Sequence, residues 1–436
     1  MSSYSDLNSN LNLDNNDKPL FDTAKYTQTT LDWNVYAIFG GQWGDEGKGK
    51  IVHSILNKIK DDGVYCYNNS YKHDHDYKSN IMEKVLKCKN ICIRFSGGDN
   101  AGHTMVLENG TKIDTHMIPS GCIIPNCLLV IGPMCVVNLD NLEKELSKLE
   151  KAGFNHVRDF LVVDPRCVVI TEEDIELDKK RENDKGKDKI GTTCRGIGPA
   201  YEKMARRRGP FVGDEMFKEK IKSMGIILYK THDMFDLMLD FRCKYNIVME
   251  GAQSIFLDKI IGTPPYVTSG PCTPETIWTT GLPRNVKNMV WIVVMKSYAT
   301  YVGGLNMRKD DNFKSYIETL DKIGEIGHEF GVTTGRKRQV LPFKTRQIKN
   351  VRNMFFGGSN EKLVVVINKS DILTKVKELG DIYTPFLVED LHGDIIDCGN
   401  LNDMKEFISN MFGIHGIKTS NLRWSDTPHA DSSILD

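Results

Sequence analysis

The stretch GGQWGDEGKGK at 40–50 crowds five glycines around two acids, Asp45 and Glu46, and two lysines, Lys48 and Lys50. Glycines behind a strand let backbone N–H groups converge on an anion, and the N-terminus of a following helix adds positive potential. Lys48 would bring a full charge to the outer phosphates of a nucleotide. The spacing is not that of the G-x-x-x-x-G-K-[ST] loop. Five residues separate Gly41 from Gly47, and Gly49 stands where a serine or threonine would hold magnesium. Something else must hold the metal, and the local candidate is Asp45. A carboxylate in a polyanion loop repels bare phosphate, so its presence implies a divalent cation, a proton-transfer duty, or both.

Three further segments carry chemistry. In SGGDNAGHT (96–104), Asn100 and His103 follow an apolar run. A histidine there can donate to an oxygen that gains charge during phosphoryl transfer, although a lone histidine more often serves as a structural hydrogen-bonder. INKSD (367–371) follows directly on an apolar run. Its Asp371 can accept from guanine N1–H and the exocyclic amine together, with Lys369 along the base; adenine has no such donor pair. N-K-x-D also occurs in P-loop GTPases, so it names a nucleotide and not a reaction. EFGVTTGRKRQ (329–339) sets two hydroxyls and a glycine before Arg336, Lys337 and Arg338. Arginines suit bidentate carboxylate recognition, while a basic surface loop reads equally well from the residues alone.

The elements that must position these groups are short apolar strands alternating with helices. NVYAIFG (34–40) runs into the glycine loop, and IVHSILNKI (51–59) after it has helical apolar spacing. NICIRFSGGDNAGHT (90–104) repeats the theme of an apolar strand ending in glycines, segments 128–132, 160–164, 245–251, 289–295 and 363–371 read as further strands, and 141–153 and 404–413 as helices. This alternation predicts an α/β fold: a large, mainly parallel central sheet with helices on both faces and a phosphate-loop-like nucleotide-binding architecture. Ligands in such sheets sit at the carboxyl ends of strands. Residues 1–31 read as a disordered leader, 61–80 as a polar surface insertion, and 32–436 as a single large catalytic domain with loop insertions.

The whole chain limits the function classes. A formal net charge of -1 over 436 residues creates no global field for nucleic acid or an anionic membrane, so phosphate binding must be local. The eleven cysteines are scattered without a CxxC pair, which fits a reducing, cytoplasmic setting. No secretory signal is visible, and the longest apolar runs are strand-length.

QWGDEGKGK (42–50) resembles the signature loop of the adenylosuccinate synthetases, and the resemblance runs from about Val35 to Asp371. That family condenses IMP with L-aspartate, using GTP and magnesium, on the path to AMP. The resemblance implies that Asp45 removes the N1 proton of IMP and holds magnesium. Oxygen O6 would then attack the γ-phosphate, and aspartate would displace the 6-phosphoryl group. It implies His103 as general acid, the Gly102 carbonyl as a second metal ligand, and Gln253 of MEGAQ (249–253) with Lys48 in the catalytic set.

The carry-over continues residue by residue. For GTP it implies Gly44 to Lys50, through Glu46, Gly47 and Gly49, then Gly102, His103 and Thr104, and finally Arg338, Lys369, Ser370 and Asp371. For IMP it implies Asp45 to Lys48, Asn100, Ala101, Gly102, His103, Thr193, Gln253, Thr268 and Arg336. Arg207 would reach a neighbouring subunit's IMP site, which implies a homodimer with shared active sites. For L-aspartate it implies the loop Val332, Thr333, Thr334, Gly335, Arg336, Lys337 and Arg338, with Arg336 gripping the carboxylate. Cys194 stands where a glycine is common.

Three segments depart from the family pattern: 301–312, 336–343 and 418–436. The last has no copy of the small-residue loop beside guanine, so no nucleotide contact is expected from it. The departures suggest a catalytically silent relative as one alternative, against which Asp45, His103, Lys48, Arg336 and Asp371 all stand intact. A regulatory GTP-binding protein is another; it leaves NAGHT and VTTGRKR unexplained.

Overall fold

Along β1 (Leu31–Gly40), Val35, Ala37 and Phe39 enter one apolar core, whereas Ile38 enters another. A strand buried on both faces requires cover on both, and that sets the architecture. The computed structural model describes residues 30–59, 76–241, 243–331, 335–355, 361–427, 429 and 434.

Ten strands form the central sheet. After β1 come β2 (Asn90–Gly97), β3 (Cys127–Val137), β4 (Leu161–Val163), β5 (Val168–Val169) and β6 (Ile227–Leu228). They are followed by β7 (Tyr245–Ser254), β8 (Val286–Lys296), β9 (Glu361–Asn368) and β10 (Leu422–Ser425). Their spatial order is β10-β9-β8-β1-β7-β2-β3-β4-β6, with β5 beside β3. Every one of these pairings is parallel.

The period of two repeats across the central strands. Ile247 and Met249 of β7 face the first core and Val248 the second; Val365 and Ile367 of β9 face the first, Val364 and Val366 the second. Helices close both sides. Phe235 and Met238 of helix Thr231–Phe241, with Ile408 and Phe412 of helix Leu401–Ile414, cover one face. Ile51, Val52 and Ile55 of α1 (Lys48–Ile59) and Leu142 and Leu146 of helix Leu139–Lys151 cover the other. Each fully buried side chain of this kind contributes about 1.5–3 kcal/mol by leaving water.

Parallel strands end together. The carboxyl ends of β1, β7, β2, β8, β9 and β10 stand in one row, and the chemistry-bearing loops leave from that row.

Several boundaries differ from the sequence expectation. Leu31, placed in the leader, opens β1, while residues 1–29 lie outside the described residues. Of the expected insertion, 61–75 lie outside them as well, and 76–80 begin the helix Asp76–Lys87. The strand expected over 363–371 stops at Asn368, because Lys369 turns the chain with φ 67° and Ser370 starts a helix. No strand was expected in 418–436, yet β10 lies there and Ile434 is buried in the second core. Four residues with little alternation carry no strand signal; the open edge of β9 supplies it.

Two of the departing segments meet. Ala299–Tyr301 pairs antiparallel with Gln339–Leu341. The Gln339 amide accepts from Met307 N at 2.9 Å and donates to Leu305 O at 2.8 Å.

Candidate active site

The loop between β1 and α1 is pinned from beneath by Glu46. Its buried carboxylate accepts from Gln42 N at 3.1 Å, Gly44 N at 2.9 Å and Ser254 Oγ at 2.7 Å, and pairs with Lys48 Nζ at 3.1 Å. Burial alone would raise the Glu46 carboxyl, but Lys48, Ser254 and the loop N–H groups outweigh it and hold the carboxyl below the usual range. Two glycines and one acid turn the loop in left-handed conformations: Gly44 at φ 101°, Asp45 at φ 60° and Gly47 at φ 90°. A non-glycine residue held there costs on the order of 1–2 kcal/mol, and it presents the Asp45 carboxylate to the cleft. Gly49 is required for a different reason. A Cβ there would lie 2.8 Å from His103 Cβ, so the N-terminus of α1 and the histidine can approach only across a glycine.

His103 opens a two-stranded antiparallel hairpin, His103–Val106 with Lys112–Thr115. Its Nδ1 meets the Glu250 carboxylate near the end of β7, and Arg94 Nη1 lies 3.1 Å from the same nitrogen. Ser120 donates to Glu250 through both N and Oγ at 2.7 Å. The Nε2 atom is buried without a protein hydrogen-bond partner, and the residue lines the cleft.

On the opposite wall, the N-K-S-D segment ties the loops together. Asn368 Nδ2 donates to Glu46 O at 2.8 Å, and Lys50 Nζ donates to Asn368 Oδ1 at 3.4 Å and to Ser425 Oγ at 2.7 Å. Lys50 also bonds Thr427 O, so the C-terminal stretch reaches the cleft rim. No nucleotide contact was expected from 418–436, and the structure brings its Thr427 to the lining. The Asp371 carboxylate faces the cleft with Lys375 Nζ at 2.7 Å, one helical turn on.

These groups line one cleft of about 840 Å³. Asp45, Lys48, Asn100, Gly102, His103 and Thr104 share it with Thr193, Gln253, Thr268, Arg336, Arg338, Lys369 and Asp371. Gly44, Glu46, Gly47, Gly49, Lys50 and Ala101 also line it. Nine lysines and arginines against four carboxylates in its lining give it a positive balance suited to a polyanion, inside a chain of almost no net charge.

Some expected residues fall elsewhere. Ser370 is buried and its hydroxyl bonds Asp426, away from the cleft. Lys337 Nζ lies 3.6 Å from Asp321, and Gly335 is outside the lining. Val332, Thr333 and Thr334 lie outside the described residues. Arg207 is exposed, at φ 59° after helix Ile197–Ala205, and does not line this cleft. Arg336 Nη1 donates to Gly191 O at 2.8 Å, which joins the basic loop to the segment before Thr193. Cys194 takes φ 54°, the conformation for which glycine is the cheap choice.

Four contributors were not singled out from the sequence: Glu250, Asn368, Glu329 and Thr427. Glu250, Asn368 and Glu329 lie inside quoted motifs, and for the first two buried polar residues at strand ends were the available signal. Thr427 had none.

Two stretches of the chain, 75–236 and 227–394, match the family model described as adenylosuccinate synthetase. The adenylosuccinate synthetase of Neurospora crassa is 34% identical over 337 residues, 69% of this chain and 70% of that protein. The one of Tolumonas auensis is 35% identical over 343 residues, with the same shares. Among solved structures, the fully ligated adenylosuccinate synthetase of Plasmodium falciparum superposes with a TM-score of 0.66 at 22% identity, covering 92% of this chain and 99% of that one. The succinoaminodeoxyadenylate synthetase of cyanophage S-2L, bound to dGMP and dATP, superposes with a TM-score of 0.55 at 19% identity, covering 88% and 99%. These two likenesses establish a shared fold.

Proposed function

The chain belongs to the adenylosuccinate synthetase family, and on that premise we propose which of its residues carry the reaction. It is a GTP-dependent ligase: IMP, L-aspartate and GTP give adenylosuccinate, GDP and phosphate through a 6-phosphoryl-IMP intermediate, at the entry from IMP to AMP. The assignment rests on one observation. Asp45, the unpartnered Nε2 of His103 and the Asp371 carboxylate open onto the same cleft.

In the proposed mechanism Asp45 takes the N1 proton of IMP, which raises electron density on O6 for attack on the γ-phosphate. Lys48, the loop N–H groups and the N-terminus of α1 hold the phosphates. His103 Nε2 donates to the oxygen that gains charge, and Gln253 orients O6. Thr193, Thr268 and Asn100 bind the rest of IMP, and Arg336 and Arg338 receive L-aspartate. Asp371 selects guanine, with Lys369 beside the base. Glu46 and Ser370, whose side chains are committed elsewhere, would contribute through the main chain.

The donor chemistry fits magnesium. Asp45 and the Gly102 carbonyl are hard oxygen donors on one wall of the cleft. Among the described residues no cluster of three His, Cys, Asp or Glu could hold a metal alone, so phosphate oxygens and water would complete the shell. When bound, magnesium neutralises charge on the transferred group.

Arg207, exposed outside the cleft of its own chain, suits donation to the IMP site of a second copy in a homodimer. Residues 32–436 act together as one catalytic domain, in the cytoplasm. No helix among the described residues is long and apolar enough to cross a membrane.

The test is to mix the protein with IMP, L-aspartate, GTP and magnesium and follow adenylosuccinate while omitting each component in turn. Product that needs all four supports the assignment. GTP hydrolysis without IMP or aspartate would mark a switch protein instead, and nucleotide binding without turnover a silent relative.

A further inference from the structure

Glu329 has no part in the roles assigned so far, yet it is among the most heavily contacted acids in the molecule. Its carboxylate is fully buried. Oε1 accepts from Lys369 Nζ at 2.8 Å and from the Tyr298 hydroxyl at 2.7 Å. Oε2 lies 2.5 Å from Arg338 Nη1 and 3.3 Å from Lys296 Nζ, the last residue of β8. Its backbone is anchored as well, since Glu329 N donates to Gly324 O and Arg338 N to Glu329 O, both at 2.9 Å. The carboxylate is therefore a fixed point that three cations share.

Two of those cations lead to different parts of the cleft. Lys369 sits in the left-handed turn of the N-K-S-D segment, two residues from Asp371. Arg338 turns its Nε towards Asp45, 2.9 Å from Oδ2. The contact is an ion pair without hydrogen-bond geometry, so Asp45 lines the cleft but shares its charge with an arginine. Drawing Lys369 towards a guanine base removes a donor from Oε1. The negative charge then falls more heavily on Arg338, whose attraction to Asp45 weakens as its attraction to Glu329 grows. Lys296, without exposed surface, supplies the counter-charge that keeps Glu329 ionised while this exchange occurs.

We infer that Glu329 is a positioning residue that couples occupancy of the guanine pocket to the release of Asp45, through Lys369 on one carboxylate oxygen and Arg338 on the other. This rests on the roles proposed for Asp45 and Asp371. Its consequence is that recognition of the base enters turnover as well as affinity, so a triphosphate with the wrong base reacts slowly even when bound.

The experiment compares GTP with ITP, which lacks the 2-amino group and cannot offer Asp371 both donors. In the unaltered protein ITP is expected to lower kcat as well as raise KM. Glu329→Gln keeps the volume and removes the charge. It is expected to lower kcat with GTP about tenfold or more, the scale of a misplaced catalytic group, and to bring the GTP-to-ITP kcat ratio close to one. KM for IMP is expected to change less than kcat, since Asp45 is the one proposed IMP contact that the exchange disturbs. Tyr298→Phe leaves the carboxylate in place and removes one donor, so it is expected to shift the same ratio in the same direction by a smaller factor. That second variant answers the question if Glu329→Gln does not fold.

An unaltered protein that turns over GTP and ITP with equal kcat overturns the coupling. So does a GTP-to-ITP kcat ratio that survives in both variants, even with a lower melting temperature and raised KM for all substrates, which is the signature of a purely structural acid. Failure of the unaltered protein to make adenylosuccinate at all would overturn the underlying assignment, and the coupling with it.

Discussion

His103 of the cleft lining meets the buried Glu250 behind it, with Nδ1 on the carboxylate and Nε2 buried without a protein partner. Burial and then Arg94 hold the imidazole below its ordinary range, against the pull of Glu250. Burial works against the Glu250 charge too, but His103 and Arg94 overcome it and bring the carboxyl down to about 2. An ionised Glu250 therefore holds Nδ1 and aims Nε2 at the cleft, and by stabilising the imidazolium it favours the form in which Nε2 also carries a proton to donate. His103→Asn is expected to cut turnover by about two orders of magnitude, the usual worth of a general acid. Glu250→Gln is expected to cost about tenfold, because it loosens the ring without removing it. Steady-state kcat decides both, and a near-normal rate in His103→Asn would place the acid elsewhere.

Asp45→Ala removes base and metal ligand together. Turnover is expected to vanish while GTP and IMP still bind, which calorimetric titration can show alongside the assay. Substantial residual product formation would contradict both roles.

Asp371→Asn exchanges an acceptor of two guanine donors for an amide that repels one of them. The GTP KM is expected to rise by about ten- to hundredfold, the cost of an unpaired polar contact, with ATP little changed. Equal effects on both nucleotides would remove Asp371 from base selection.

Arg207→Leu is expected to raise the KM for IMP. If subunits share sites, mixing this variant with His103→Asn regenerates one intact site per hybrid dimer and restores part of the activity. No recovery, with sedimentation showing mixed dimers, would count against a shared site.

Lys296 gives a pH signature. Burial drives its amine down to about 8, and Lys369 and Arg338 push in the same direction against Glu329. A lysine lowered this way is charged below pH 8 and neutral above it, so its support for Glu329 is present at pH 7 and lost as pH rises through about 8. Unfolded lysine keeps its proton until about 10.4, so between these values the native chain binds fewer protons and this group alone adds stability as pH rises. Activity and stability thus move in opposite directions. The kcat profile is expected to fall through pH 8, and Lys296→Met should show at pH 7 the reduced rate of the unaltered protein above pH 9. A flat profile to pH 9 would mean that this charge does not bear on turnover.

The sequence by itself determined what is local. Apolar runs of strand length, glycines after them and helical spacing beyond announced a parallel sheet with loops at its carboxyl ends, and the motifs around Asp45, His103 and Asp371 named a nucleotide chemistry. Period and composition encode such features within a dozen residues. What the tertiary structure decided are the partners across the sheet. Glu250 lies 147 positions from His103, Asn368 lies 322 from Glu46, and Ser425 lies 375 from Lys50. Those meetings depend on strand order and register, which no local pattern records. The short strand at Leu422–Ser425 shows the limit most plainly, for only the open edge of β9 makes it a strand and brings Thr427 to the cleft. Glu329 is the same case in electrostatics: read in the chain it is one acid before a basic loop that includes Arg338, and only the convergence of β8 and β9 adds Lys296 and Lys369 around it.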